Sequence, residues 1–270
     1  MDRQPSLFIS HGSPMFALEP GRLGPKLGVV GDRLRGLAAI LIVSPHWQTR
    51  GVRVAATPVP ATIHDFGGFP PALYRLQYPV PGAPALAAVA AQLLTEAGFE
   101  VSLDPQRGLD HGAWVPLRHL LPQANVPVFQ VSMPHDLDAA SALRLGRALA
   151  PLRDQRVLII GSGSLTHNLY EFRQSIHDPE YAQAFADWAN SVVQTRDLTA
   201  LVDYRRRAPH AGRAHPTEEH FLPLLIAAGA SHPDDSRHRI EGGMTYGVLS
   251  MDSFGFGLST LTDTHSGAFT

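Results

Sequence analysis

The stretch AAILIVSPHW, residues 38–47, decides the fold of this chain. Ala38 to Val43 are consecutive aliphatic residues without polar alternation, which predicts a strand covered on both faces, as at the centre of an α/β sheet. His46 follows where the chain is expected to turn. The strand therefore delivers a histidine to its C-terminal end, the edge at which open α/β sheets bind ligands.

The same arrangement occurs at two other places in the chain. His11 follows the predicted strand Ser6 to Ser10, and His167 comes shortly after the predicted strand Val157 to Ile160. The turn Gly161 to Ser164 is only a weak match to a phosphate loop, because the lysine of the GxxxxGK[ST] motif is missing. Histidines at the ends of separate strands predict one shared site.

Length and composition favour a single α/β domain over residues 1–270, with a central mostly parallel or mixed sheet and helices on both faces. The net charge of -2, without a block of like charge, predicts no binding to nucleic acid or to a membrane surface. There is no cysteine, so a metal must be held by histidine or carboxylate. We expect a cytoplasmic protein, because no signal peptide and no run of about 20 apolar residues is found.

Other elements follow from hydrophobic periodicity and from capping residues. Further strands are predicted at Val52 to Thr57, Glu100 to Leu103, Val126 to Met133 and within residues 243–257. Helices are predicted at Pro84 to Ala97, after His111, at Asp136 to Leu152 with Asp136 as cap, at Tyr181 to Thr195, and from Thr217 to Ala228. Loops are predicted at Tyr204 to Arg213, which is basic, and at Ser231 to Arg239.

The segment Thr62 to Pro84 is rich in glycine, proline and aromatic residues and has no period. A loop of this length inside a compact domain is usually functional or disordered, and its aromatic residues argue against disorder. Two interpretations of His64 and Asp65 stay open. They either face the substrate as part of a lid or anchor the loop by hydrogen bonds.

The chain has 14 histidines, which in the absence of thiols are the natural ligands for a first-row divalent metal. His215 and His220 are five residues apart around a predicted helix start, a spacing that does not suit one face of a helix. Only one of them is therefore expected to reach a metal. His220, inside the predicted helix and beside Glu218 and Glu219, is the better candidate.

Motifs along the chain carry a resemblance to a known family. They are, in order, HGSP at 11–14, SPHW at 44–47, TIHDFGGFP at 62–70, LDHGAW at 109–114, THN at 166–168 and HPTEEHFLPLL at 215–225. Together they resemble the DODA-type (4,5-DOPA) extradiol ring-opening dioxygenases of the class III, LigB-like superfamily. The resemblance covers most of the chain, and it implies a LigB-like α/β fold and a catecholic substrate that is cleaved with dioxygen.

The resemblance also implies roles for individual histidines. His11, His46 and His220 are implied metal ligands, and His167 is implied beside the metal, as a fourth ligand or as a free base that takes a hydroxyl proton. His111 is implied to contact substrate or oxygen and to stabilise developing negative charge. The remaining histidines, His177 and His265 among them, are expected in solvent or in ordinary packing.

The identity of the metal is left open between Fe(II) and Zn(II). Related ring-cleaving enzymes that consist of two proteins bind iron with two histidines and a glutamate, the facial triad of non-haem iron oxygenases. In this chain the position that matches the glutamate is His220. A site made only of histidines also suits zinc. Zinc, however, has no redox chemistry with which to pass an electron to dioxygen.

Two alternative functions are kept beside the dioxygenase. One is a zinc hydrolase in which Glu218 or Glu219 acts as the base for a metal-activated water. Turnover of esters or amides by the zinc form alone would favour it. The other is a non-catalytic binding protein on the same scaffold, against which the presence of both His111 and His167 argues, because binding alone needs no acid or base.

Overall fold

The structure, a computed structural model, describes residues 3–173 and 179–258. Its strands are β1 Ser6–Ser10, β2 Ala39–Thr49, β3 Val52–Ala55, β4 Val101–Asp104, β5 Val128–Pro134, β6 Val157–Gly163, β7 Arg237–Ile240, β8 Met244–Thr245, β9 Leu249–Ser250 and β10 Ser253–Phe256. Its α-helices are α1 Leu23–Gly31, α2 Pro71–Tyr74, α3 Pro84–Glu96, α4 His111–Leu120, α5 Ala139–Leu149, α6 Leu169–Arg173, α7 Pro179–Thr195, α8 Leu198–Val202, α9 Tyr204–Arg207, α10 Ala211–Ala214 and α11 Leu222–Gly229.

Eight of the strands form one mixed sheet in the order β4-β3-β5-β2-β6-β1-β10-β7, and β8 pairs with β9 in a small separate hairpin. The central pairs β5/β2, β2/β6 and β6/β1 are parallel, whereas β10 runs antiparallel to β1 and to β7. The predicted α/β fold with a mixed sheet is confirmed. A single catalytic domain over residues 1–270 stays a prediction.

The residues of β2 explain why the sheet is covered on both faces. Leu41 and Val43 belong to one hydrophobic cluster, with side chains from α3, α5, α7 and α11. Ile40 and Ile42 point to the other cluster, with side chains from α1 and α4. All four are fully buried. A run of aliphatic residues without polar alternation is what two apolar faces require.

The C-terminal half of β2 differs from the prediction. The strand does not turn at His46 but continues to Thr49, and its pairing with β5 changes register between Val43 and Gln48. His46 therefore lies in an irregular part of a strand rather than in the turn after one. An irregularity of this kind redirects side chains and is common beside active sites.

The region before α11 also corrects the sequence analysis. Thr217 does not cap a helix, because its hydroxyl hydrogen-bonds to the Glu219 carboxylate. The helix begins only at Leu222, with Pro223 in its first turn, where the missing N–H of proline costs nothing. His220 consequently lies before the helix, not inside it.

Other boundaries differ in smaller ways. Asp138, not Asp136, caps α5 by accepting a hydrogen bond from the Ser141 N–H. The basic segment predicted as a loop contains the short helices α9 and α10, and the polar segment after α11 ends in β7. Within residues 3–173 and 179–258, no helix combines the length and the apolar character needed to cross a membrane.

Candidate metal centre and active site

His11 and His46 meet at the C-terminal edge of the central parallel strands. His11 directly follows β1, and its backbone N–H donates to the Gly163 carbonyl at 2.8 Å, which extends the pairing with β6. The Nε2 atoms of His11 and His46 lie 3.1 Å apart. Two imidazole nitrogens on one ion, each about 2.0–2.1 Å from it at angles of 90–110°, lie about 2.9–3.4 Å apart. The observed separation therefore fits a shared metal.

His220 completes the cluster from a different part of the chain. Its backbone carbonyl accepts a hydrogen bond from the Ser164 N–H at 2.9 Å, which fixes it against the end of β6. Its ring centroid lies 5.5 Å from that of His11 and 5.1 Å from that of His46. The His11 and His46 centroids are also 5.1 Å apart. The three rings thus lie at nearly equal spacing, whereas the donor atoms within 4.8 Å of one another form two groups, one of His11, His46 and His111 and one of His167, Glu219 and His220.

The outward nitrogens of these rings face oxygen atoms of neighbouring side chains. His11 Nδ1 lies 2.9 Å from Ser162 Oγ, and His220 Nδ1 lies 3.0 Å from Glu219 Oε1. Metal-binding histidines generally bond through one nitrogen to such a partner, which fixes the ring and leaves the other nitrogen for the ion. The donor set accordingly fits a divalent metal that accepts imidazole ligands.

The electrostatics of the cluster favour neutral rings. Burial, followed by the neighbouring imidazoles, holds the pKa of His11 and of His220 well below the usual histidine range. Burial is also the main reason that the pKa of His46 falls to about 4. Neutral imidazole is the form that binds a metal, so the site is ready for an ion at neutral pH.

His111 lies beside this cluster as the first residue of α4. Its ring centroid is 3.9 Å from that of His46, and one of its nitrogens lies within 4.8 Å of nitrogens of both His11 and His46. The Asp65 carboxylate lies 3.0 Å from its Nδ1. Burial raises the pKa of Asp65, but the hydrogen bonds and charge of His111 outweigh burial and bring it to about 2.

His167 lies in the loop after β6 and stacks on His220. Their ring centroids are 3.5 Å apart and the planes differ by 11°. An imidazole nitrogen binds a metal in the plane of its ring. Because the two rings are stacked and nearly parallel, an ion in the plane of His220 would lie well above the plane of His167, where His167 has no lone pair. Burial lowers the pKa of His167 to about 4. This arrangement favours a free base over a fourth ligand.

A cavity of about 440 Å³ opens over the histidines. One end carries the side chains of His46, His111, His167 and His220. The opposite walls are apolar and come from the long loop, from α6 and from β9, and they consist of Phe66, Phe69, Leu169, Phe172 and Leu249. Its size and its few convergent polar groups are those of a small-molecule site.

Two predicted candidates lie away from the cavity. His64 Nε2 bonds to the Leu76 carbonyl at 3.0 Å. This contact anchors the loop, which is one of the two interpretations of His64 that the sequence leaves open. His215 is fully buried and bonds to the Leu165 carbonyl at 2.9 Å, whereas His220 lies beside His11 and His46. His177 and His265 lie outside the described residues.

Sequence reasoning missed the partners of the metal-site histidines. Ser162 belongs to the turn considered as a weak phosphate loop, yet its hydroxyl contacts His11. The sequence offers Glu219 only as a hydrolytic base, whereas in the structure its carboxylate contacts His220 and Glu218 pairs with Arg205 instead. The adjacency of Glu219 to His220 was the one local signal that could have found this contact.

The fold and the histidine cluster are those of a protein that can bind a divalent metal, and comparison with known proteins identifies its class. Residues 28–251 match the family described as the catalytic LigB subunit of aromatic ring-opening dioxygenase. The chain therefore belongs to this family. The predicted class, an extradiol dioxygenase and hence an oxidoreductase, is confirmed, and the two alternative functions are not favoured.

Individual relatives cover nearly the whole chain. A 4,5-DOPA dioxygenase extradiol of Beta vulgaris is 39% identical over 93% of this chain and 96% of its own length. The protein of the same name from Escherichia coli strain K12 is 40% identical over 94% of this chain and 95% of its own length. The crystal structure of an uncharacterized protein from Escherichia coli K12 superimposes with a TM-score of 0.78 at 32% identity, over 94% of this chain and all of the other.

Proposed function

We propose that the chain cleaves the ring of a catechol beside its two hydroxyls, inserting both atoms of dioxygen to give a muconic semialdehyde. The observation that carries the proposal is the clustering of the His11, His46 and His220 rings, of which His46 and His220 line the cavity. We infer that these three residues hold the metal. The catechol is of the DOPA type, the substrate named for two of the relatives.

Fe(II) is the metal that we propose, because ring opening with dioxygen needs a redox-active ion. If the three imidazoles hold it, Fe(II) would favour ionisation of the catechol hydroxyls and would give electrons of the catechol a route to dioxygen. Zinc would occupy the same ligands but offers no redox chemistry. The donor set itself suits either ion, so the choice rests on the chemistry of ring opening.

His167 is the proposed general base. It lines the cavity and is neutral near pH 7, since burial lowers its pKa to about 4. A neutral imidazole can accept the second hydroxyl proton of the catechol and return it later in the reaction. Its stacking on His220 supports a position beside the metal rather than among its ligands.

His111 is proposed to contact dioxygen, which reacts with the bound catechol. Its ring lies against His46 on one side and 5.6 Å, centroid to centroid, from Phe66 on the other. A hydrogen bond between this ring and the reacting oxygen would hold that oxygen in place for ring opening. Phe66 excludes water from the same place.

The apolar walls are proposed to hold the catechol ring and its substituent. Phe69 and Phe66 come from the long loop, and Phe172 and Leu249 close the other side. Their contact with the ring fixes the direction in which its hydroxyls point, toward the histidines. Orientation of this kind supplies a large part of the rate in reactions of two bound partners.

The test uses protein freed of metal and reconstituted separately with Fe(II) under anaerobic conditions and with Zn(II). Oxygen uptake is measured with DOPA, caffeate, protocatechuate and catechol itself. We expect uptake and a yellow semialdehyde product with Fe(II) alone. A His11→Ala variant, treated identically, should bind little metal and take up no oxygen. Absence of uptake with every catechol in the iron form would refute the proposal.

A further inference from the structure

Both carboxylate oxygens of Asp65 are engaged by one residue. Oδ1 accepts the backbone N–H of His111 at 2.8 Å, and Oδ2 lies 3.0 Å from its Nδ1. The same Oδ2 lies 3.9 Å from Nδ1 of His46. The carboxylate, which lines the same cavity, is thus directed at Nδ1 of two histidine rings.

The position of Asp65 is set by contacts on its N-terminal side. The Ile63 N–H donates to the Leu109 carbonyl at 2.8 Å, and Trp114 Nε1 donates to the Ile63 carbonyl at 2.9 Å. These bonds dock the long loop on the segment that leads into α4, two residues before His111. The carboxylate is therefore presented to His111 by a fixed backbone.

We infer that Asp65 is a positioning residue that holds His111 with its proton on Nδ1, so that Nε2 is the nitrogen presented to substrate and dioxygen. A carboxylate can only accept at this place, so Nδ1 must donate. The inference rests on the proposed function for its catalytic consequence. It replaces the direct contact between Asp65 and substrate that the sequence suggested with an action through His111.

Asp65→Asn is the most informative substitution, because the amide cannot reproduce both contacts. If its NH₂ group faces Nδ1, the ring must accept there and carry its proton on Nε2. If its oxygen faces Nδ1, the NH₂ group meets the backbone N–H of His111, and two donors oppose each other. Either orientation disturbs His111 while the volume of the side chain stays the same.

We expect Asp65→Asn to lower kcat by about 10²–10⁴-fold, as loss of an orienting carboxylate does elsewhere, with the KM for catechol within about threefold of wild type. Iron content should be unchanged. Asp154→Asn, an exposed carboxylate paired with Arg3, is the matched control and should have wild-type kinetics. A large rise in KM at constant kcat would overturn the inference and restore a direct contact with substrate.

A double-mutant cycle separates action through His111 from any other role. In a His111→Asn background, Asp65→Asn should change kcat by less than about threefold, because the residue through which it acts is already gone. If the substitution costs the same factor in both backgrounds, Asp65 works independently of His111 and the inference is wrong.

A spectroscopic measurement keeps the inference testable even if no catechol is turned over. Long-range ¹H–¹⁵N correlation spectra of the Zn(II)-loaded protein report which nitrogen of His111 carries the proton, and His111→Asn identifies the signal. We expect the Nδ1–H form in wild type and its loss in Asp65→Asn. An Nε2–H form of His111 in wild type would overturn the inference, whereas failure of oxygen uptake alone would overturn only the proposed function.

Discussion

The buried His215 should make the stability of this protein sensitive to mild acid. The side chain is fully buried, and its ring packs between those of Phe185 and Phe221 at centroid distances of 5.3 and 5.2 Å. Nε2 bonds to the Leu165 carbonyl, but Nδ1 has no hydrogen-bond partner among the described residues. Burial, the largest effect, lowers its pKa from 6.5 to about 3.

The sign and size of the effect follow from proton linkage. Above pH 6.5, the ordinary value, the ring is neutral in both the folded and the unfolded chain, so it adds no pH dependence. Below that value only the unfolded chain takes up the proton, until the folded pKa is reached. Folding stability therefore falls as the pH falls, by about 1.4 kcal/mol per pH unit, or about 2 kcal/mol at pH 5.

The assay is urea unfolding of metal-free protein, followed by circular dichroism at about pH 7.5 and about pH 5. Other buried histidines contribute equally to wild type and variant, so the difference between the two proteins isolates His215. In His215→Gln, the loss of unfolding free energy between the two pH values should be smaller by about 2 kcal/mol. His135→Gln removes an exposed histidine and is the control. Equal pH dependence in wild type and His215→Gln would refute the reasoning.

Four further outcomes are expected. His220→Ala should abolish stoichiometric metal binding as measured by elemental analysis, and Glu219→Gln should weaken it by about 10–100-fold, because the carboxylate orients the ring. His167→Gln should keep the metal and lower kcat by about 10²–10⁴-fold in oxygen-uptake assays, and loss of metal instead would make it a ligand. Arg153→Met should destabilise the fold by about 3–5 kcal/mol in urea titrations, because it leaves the Asp235 carboxylate, 2.7 Å away, without its partner.

The elements that sequence predicts best are those with the strongest hydrophobic signal. The aliphatic run Ala38 to Val43 predicts β2, because a strand buried on both faces has no polar alternation. The proline start and the alanine-rich body predict α3, because a helix buried along one stripe has a regular pattern. The continuation of β2 through Pro45 and His46 leaves no such pattern. That segment is extended because it pairs with β5, not because its residues favour a strand, so only the tertiary structure shows it.

The site shows the same division between local and distant information. The metal-site histidines could be proposed because each follows a recognisable strand or motif in the sequence. The contact between Asp65 and His111 could not, since 46 positions separate the two residues and neither segment has a periodic pattern. The start of α11 could be predicted from the sequence, because proline is favoured in the first turn of a helix. Pro223 therefore places the helix start close to itself and His220 before the helix.

The arrangement of His220 finally depends on two glycines that carry no chemistry. A Cβ on Gly161 would overlap the Pro223 carbonyl, and a Cβ on Gly163 would overlap the His220 carbonyl. β6 therefore lacks side chains where the segment leading into α11 crosses it, and the two backbones approach closely. Because β6 lies between β1 and β2 in the sheet, this approach brings His220 to the edge at which His11 and His46 already meet. The close packing of glycine against backbone is thus what adds a third histidine to the two that lie on either side of β6.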